Sequence, residues 1–300
     1  MSANATNAGD TLELASNLVV NEHARRGWLR NKRWMNPSLF IGLIILLALV
    51  AVIVFYPMIS PWNPTEPDFS QPTFAGPSRD HLLGTDNFGR DTLTRLAVGG
   101  RIDLAIAVIA TWVTVVVGGI IGLVSAYRGG WLDTAMMRFV DFTVTMPYLI
   151  LVIAMMAILG PGTNQIVYAI WLIGWVAYAR IIRAETLVQR RLEYVEAARV
   201  IGMSDTRIML RHITPNVISA ALVFAMADMV LNILTAASLS FLGLGVQPPN
   251  PEWGLMVAEA RDFFLKDWRL MTYPGIAVLI TGAAFGLIGD GLSQALRPRK

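Results

Sequence analysis

The sequence predicts an all-α integral membrane protein with six transmembrane helices, and three observations carry that expectation. The 300 residues are 55% hydrophobic and only 15% charged, with a mean hydropathy of +0.54; soluble chains carry roughly 25% charged residues. Six apolar runs, at about 39–60, 102–126, 138–159, 166–183, 217–244 and 273–294, approach or exceed the roughly 20 residues a helix needs to cross ~30 Å of hydrocarbon. The basic residues then sort by side. With both termini on one face, seventeen of the 24 Lys and Arg fall there, and only Arg79, Arg90, Arg95, Arg101, Arg261, Lys266 and Arg269 fall opposite. That bias puts both termini and the loop at 187–216 in the cytoplasm, with the lipid bilayer as the surroundings of the rest.

Taken in order, residues 1–38 form a cytoplasmic N-terminal segment whose first part, 1–22, is polar and aperiodic and is expected to be disordered. No small-x-small cleavage site follows the first apolar run, so 39–60 is expected to stay as a membrane anchor. The external loop, 61–101, is punctuated by Pro61, Pro64, Pro67, Pro72 and Pro77, which disfavour regular structure. It then runs from His81 to Asp91, where Asp86 or Asn87 can satisfy a turn, into a short helix over Thr92–Val98. The core, 102–296, holds five spans. Gly118 with Gly122, and Gly282 with Gly286, are small-xxx-small pairs suited to close packing in lipid. Pro147 is expected to bend the third span. The fourth is the shortest and ends before Arg180 and Arg183, whose long side chains can snorkel to the interface. Residues 297–300 form a cytoplasmic tail.

Between the fourth and fifth runs lies a charged stretch, Glu193 to Gly202 and on to Asn216. Tyr194, Ala197, Ala198 and Ile201 recur at i, i+3, i+4, i+7, one helix face. Gly202 breaks the period, Ser204 can cap a second helix with Met209, Leu210 and Ile213 on one face, and Pro215 limits its length. A polar helix–turn–helix between two spans has a purpose if a partner docks on it.

Glu196-Ala197-Ala198 with Gly202, followed by Ile213-Thr214-Pro215, resembles the EAA motif of ABC-importer permeases. Three further blocks resemble the C-type permease of the dipeptide, oligopeptide, nickel and opine importers. They are His81-Leu-Leu-Gly-Thr-Asp86 with Gly89-Arg-Asp91, Arg95 and Gly99-Gly-Arg101; Leu239 to Pro249 with Pro251-Glu-Trp-Gly254; and Gly289-Asp-Gly-Leu292 with Pro298-Arg299. The chain departs from that pattern at Ser293-Gln294, at Arg297, and at Asp103, where the family often has Ser. The resemblance implies a type I ABC-importer permease fold with a cytoplasmic coupling helix. It implies a coupling role for Glu193, Glu196, Ala197, Ala198, Gly202, Arg207, Arg211 and Pro215. It also implies a related B-type permease, two ATPase subunits that bind ATP and Mg, an external solute-binding protein, and a bacterial inner-membrane location. For Arg207 and Arg211, pairing with acids of a partner and a solvated or headgroup-facing position both stay open.

Asp228 stands near the middle of the fifth span with Asn232 one turn on. A mid-membrane carboxylate is costly and needs a polar surrounding. The pair is expected either to line a translocation path or to make an interhelical hydrogen bond to a neighbouring subunit. Asp141 and Asp290 are expected to pair with interfacial arginines. Asp86, Arg90, Asp91 and Arg95 are expected to hold the external loop together or to receive a binding protein. There is no G-x-x-x-x-G-K-[ST] loop, so no cofactor is expected in this chain. His23, His81 and His212 lack ligand spacing, cysteine is absent, and neither a metal site nor an enzymatic arrangement emerges. The basic balance is membrane topology, not a nucleic-acid surface. The rival is a secondary transporter with Asp228 as its ion site, which would need inverted repeats or interrupted midplane helices; a third is a non-transporting scaffold.

Overall fold

The computed structural model describes residues 36–296. The expectations for 1–35 and for 297–300 lie outside the described residues. Within them the chain is helical: α1 (Pro37–Ile59), α2 (Thr92–Arg128), α3 (Gly130–Val144), α4 (Tyr148–Leu159), α5 (Thr163–Gln189), α6 (Glu193–Val200), α7 (Asp205–Phe241), α8 (Trp253–Ala260) and α9 (Arg269–Leu296). Helices α1, α2, α5, α7 and α9 are each long and apolar enough to cross a membrane, and α3 and α4 reach that length and hydropathy only together, as a pair bent by 89°.

Two sequence expectations are sharpened here. The bend expected at Pro147 is present, at 89°, and it divides the segment into two separate helices, since Pro147 stands in an extended conformation with ψ 127° and cannot donate to the ladder. The short helix expected at Thr92–Val98 is the outer end of α2, which runs 37 residues. At 1.5 Å per residue that is about 55 Å, so α2 projects well beyond the bilayer.

Local chemistry sets the ends of these helices. Asn36 caps α1 by accepting from the Ser38 amide at 3.0 Å, and Asp91 caps α2 by accepting from the Thr94 amide at 2.8 Å. Pro57, inside α1, has no N–H for the carbonyl of Ile53. Arg101 supplies the missing donor from α2, its Nε lying 2.9 Å from Ile53 O and its Nη2 2.7 Å from Val54 O.

Helices α2, α5 and α7 form the centre of the molecule. A Cβ on Gly118 would collide with the Trp175 carbonyl, and one on Gly122 with the Ala179 carbonyl, so these glycines let α2 and α5 touch backbone to backbone. The second expected pair divides: Gly282 lies near Val230, whereas Gly286 meets nothing. Gly42 and Gly291 carry the close approach of α1 to α9 instead.

Outside the bundle, α8 packs against the outer half of α2. Glu252 caps it, accepting from the amides of Gly254 and Leu255 at 2.8 Å each. Trp253 is buried, its indole donating to Leu96 O at 2.9 Å, and Gly254 packs against the backbone of Ala237. The Glu-Trp-Gly run is therefore a cap, a plug and a close approach in succession.

Candidate functional site

The segment between α5 and α7 is built as a short lever fixed at both ends. Helix α5 ends at Gln189, and α6 follows after three residues. Glu193 and Glu196 lie in the first turn of α6, where the unpaired amides favour negative charge. Only Val195 and Ala198 of α6 are buried. They join Ile208, Met209, Ile213 and Val217 in a cluster that continues to Tyr178 in the bundle.

Gly202 ends the helix in a Schellman motif. Its own N–H donates to Arg199 O at 2.9 Å and the Met203 N–H donates to Ala198 O at 3.1 Å. That geometry requires φ +80° at Gly202, which disfavours any residue with a Cβ although space is open around it.

The second helix differs from expectation. Ser204 stands at its N-cap position without a side-chain capping bond, and Pro215 does not limit its length. A π-turn at Met209–Ile213 shifts the register so that Thr214 N–H reaches Met209 O, and the helix continues without interruption to Phe241. The four residues 201–204, turning at Gly202, link α6 to α7, and α7 itself runs unbroken from Asp205 into the fifth span.

The four residues placed on one face of α6 do not share one environment. Ala198 is buried, but Tyr194, Ala197 and Ile201 are exposed. The inner face is Val195 with Ala198, and the outer one carries Val200 at 87% exposure and Ile201 at 75%; Leu210 on α7 is 63% exposed. Glu193, Glu196, Arg207, Arg211 and Pro215 are exposed around them. Neither Arg207 nor Arg211 makes an ion pair with another described residue.

Two tyrosines hold this segment: Tyr127, which the sequence reading passed over, and Tyr194, which it placed on a helix face without a bonding role. Tyr127, at the inner end of α2, donates its hydroxyl to Asp205 Oδ1 at 2.7 Å, and the Arg199 guanidinium lies 5.3 Å from its ring centroid. Tyr194 donates to Gln189 Oε1 at 2.6 Å and accepts from Asn216 Nδ2 at 3.3 Å, tying α5, α6 and α7 together. Neither signal is visible in sequence spacing, since Tyr127 and Asp205 are 78 positions apart.

The fifth-span pair behaves differently. One oxygen of Asp228 accepts from Tyr178 Oη at 2.9 Å, Asn232 Nδ2 at 3.2 Å and Thr111 Oγ1 at 3.4 Å. Asn232 also donates to Thr111 Oγ1 at 2.9 Å and is fully buried. Asn232 therefore lines no open path in this chain, and the network joins α2, α5 and α7 within one subunit.

Among the described residues, Asp141 and Asp290 pair with no arginine; the ion pair at the inner ends is Asp133 with Arg183, bidentate at 2.6 and 2.8 Å, between α3 and α5. Outside, Asp86, Arg90, Asp91 and Arg95 are all buried. Arg90 reaches Asp86 at 2.7 Å, Arg95 reaches Glu259 at 2.7 Å, and His81 Nδ1 lies 3.0 Å from Asp91. This cluster fastens the external loop to α8.

Comparison with known proteins places these features. A family model described as the binding-protein-dependent transport system inner membrane component matches residues 118–300. A second, the N-terminal TM domain of oligopeptide transport permease C, matches residues 26–77. The glutathione transport system permease protein of Pectobacterium atrosepticum is 38% identical over 289 residues, covering 96% of this chain and 95% of that one. A putative peptide transport system permease protein of Brucella suis is 40% identical over 272 residues, covering 90% and 91%. Among solved structures, the MetNI methionine ABC transporter in an inward-facing conformation aligns with a TM-score of 0.56 at 16% identity. The alignment covers 68% of this chain and 97% of that one, a likeness of fold.

Proposed function

The chain belongs to the binding-protein-dependent transport system inner membrane component family, and from that premise we propose how it works as the permease subunit of a peptide-class ABC importer. It is a multi-pass membrane protein whose ATP hydrolysis belongs to partner subunits. The observation that carries the mechanism is the α6 ridge. A surface facing an aqueous compartment leaves Val200 and Ile201 bare, on a helix whose other face is locked into the bundle. Exposed apolar residues ringed by charge mark a docking site, and an ATPase subunit is the partner this family requires.

In this reading Glu193, Glu196, Arg207 and Arg211 are the charged rim that sets orientation. Ala197 keeps the ridge thin beside Val200 and Ile201. Ala198, Gly202 and the π-turn ahead of Pro215 make the lever stiff. Closure of the ATPases on ATP and Mg moves α6, and the short Gly202 turn passes the displacement to α7, which runs unbroken into the membrane. A related B-type permease completes the path, and an external solute-binding protein delivers a peptide or related small solute. The termini and α6 lie on the cytoplasmic side of a bacterial inner membrane, as the distribution of basic residues supports. Asp228 acts first as a fastener of α2, α5 and α7, and only its half-buried carboxylate can additionally meet a solute.

The test is Ile201→Asp. Burying an isoleucine in a partner contributes about 1.5–3 kcal/mol, so its loss together with a buried charge should weaken ATPase binding at least tenfold while the chain still inserts. ATPase binding unchanged by Ile201→Asp and by Val200→Asp would remove the docking surface.

A further inference from the structure

Helix α1 touches the rest of the chain at two separated places. At its inner end Asn36 Nδ2 donates to Gln294 Oε1 at 2.7 Å, Gly291 faces Leu39, and Gly42 fits against Ala284 and Leu287. Towards its outer end Ile53 packs over Gly100 and Trp253, and Arg101 holds the Ile53 carbonyl. Between these clamps α1 and α9 part. The gap is a groove of about 690 Å³ that lies along the spans, its walls Leu49 and Val52 of α1 and Ile276 and Ile280 of α9, its floor Ala97 and Trp253. That volume is within the roughly 300–1,000 Å³ of ordinary ligand pockets.

We propose that this groove holds an acyl chain of a membrane phospholipid, which completes the packing of α1 against α2 and α9. Three features select that occupant. No charged residue lines the groove, and the Trp253 indole N–H that reaches its floor is already bonded to Leu96 O. The lining carries no small-xxx-small stripe, and apart from the Tyr273 hydroxyl at its outer end its side chains are apolar, so it lacks the devices by which a second transmembrane helix is held along its length. Its glycines are spent elsewhere, on the clamps at Gly42, Gly100 and Gly291.

The third feature is its outer end, where Tyr273 supplies a hydroxyl one turn below Arg269. Arg269 is paired with Asp267 at 2.7 Å, Lys266 is exposed beside it, and Trp268 is also exposed. Aromatic and basic groups at that level suit a phospholipid headgroup. An empty groove would forfeit dispersion contacts along both walls, and a flexible hydrocarbon chain restores them without demanding a polar partner.

The experiment uses the transporter with its co-purifying subunits in nanodiscs of phosphatidylethanolamine and phosphatidylglycerol. A fraction of the phosphatidylethanolamine carries a mid-chain diazirine. On irradiation, Leu49, Ile276 and Ile280 should be labelled several-fold above Leu279, which is 68% exposed on the same helix. The groove-filling variants Ala48→Phe and Ala277→Phe should each cut the groove label at least fivefold and leave the Leu279 label unchanged. Equal labelling of groove and Leu279, or a groove label that survives in whichever filled variant assembles, would overturn the proposal. So would crosslinking of the groove to another subunit in place of lipid, and each of these outcomes is independent of whether α6 binds an ATPase.

Discussion

At the scale of single residues, most of the mechanism rests on Gly202 and on the tyrosines that brace the lever. Gly202 has no neighbour to clash with, so its identity is fixed by backbone conformation alone. A left-handed conformation costs a residue with a Cβ roughly 1–2 kcal/mol. Asn tolerates that region better than Ala or Val. Gly202→Val should therefore uncouple ATP hydrolysis from transport most, Gly202→Ala less and Gly202→Asn least, with equal membrane insertion; ATPase and transport rates in proteoliposomes give that order. Tyr127→Phe removes a hydrogen bond worth about 0.5–1.5 kcal/mol and should give a partial version of the same defect. For Asp228, Ala leaves the Tyr178 and Thr111 hydroxyls without their acceptor, while Asn232 keeps its bond to Thr111, and should lower thermal stability, at about 1–3 kcal/mol per orphaned group. Asn keeps an acceptor oxygen and should be milder. A large rise in KM for Asp228→Asn at unchanged stability would instead place the carboxylate against the solute.

At the scale of elements, hydrophobic runs located the five long apolar helices and the bent pair α3 and α4, because a lipid-crossing helix must be apolar over its whole length, whatever it packs against. They did not show the break at 145–147, since a broken span is as apolar as a straight one; only Pro147 hinted at it. Nor did periodicity find the inner face of α6. That helix has apolar groups on both sides, Val195 and Ala198 inward and Val200 and Ile201 outward, and a pattern of spacing cannot say which side has a partner in another chain. The EAA spacing pointed to the segment proposed as the lever, while several of the contacts that hold it come from residues far away in sequence. Pro57 and Arg101 give an element-level test. Arg101→Ala should lower thermal stability by leaving the Ile53 carbonyl unpartnered in an apolar setting, at about 1–3 kcal/mol. Restoring a backbone donor with Pro57→Ala should reduce that loss, so the two substitutions should be strongly non-additive in a double-mutant cycle.

At the scale of the whole molecule, the chain is a set of helices tied together in the membrane with its working surface at one end. The central three are joined by glycine contacts and by the Asp228 network; the outer cap is held by the Arg90, Arg95, Asp86 and Glu259 cluster. These fixings are intramolecular, although Arg90 Nη2 and Asn232 Oδ1 find no hydrogen-bond partner among the described residues. Val200, Ile201 and Leu210 are left exposed, on either side of the Gly202 turn that links α6 to the span helix α7. An engine supplied by separate subunits is consistent with a chain that has no phosphate-binding loop of its own.

The most direct test is to purify the tagged chain in mild detergent, as wild type and as Ile201→Asp, and to identify by mass spectrometry what accompanies each. The account predicts P-loop ATPases and a second permease with the wild type, and the second permease but little ATPase with the variant. Equal recovery of ATPase with both, or recovery of the wild-type chain alone, would contradict it.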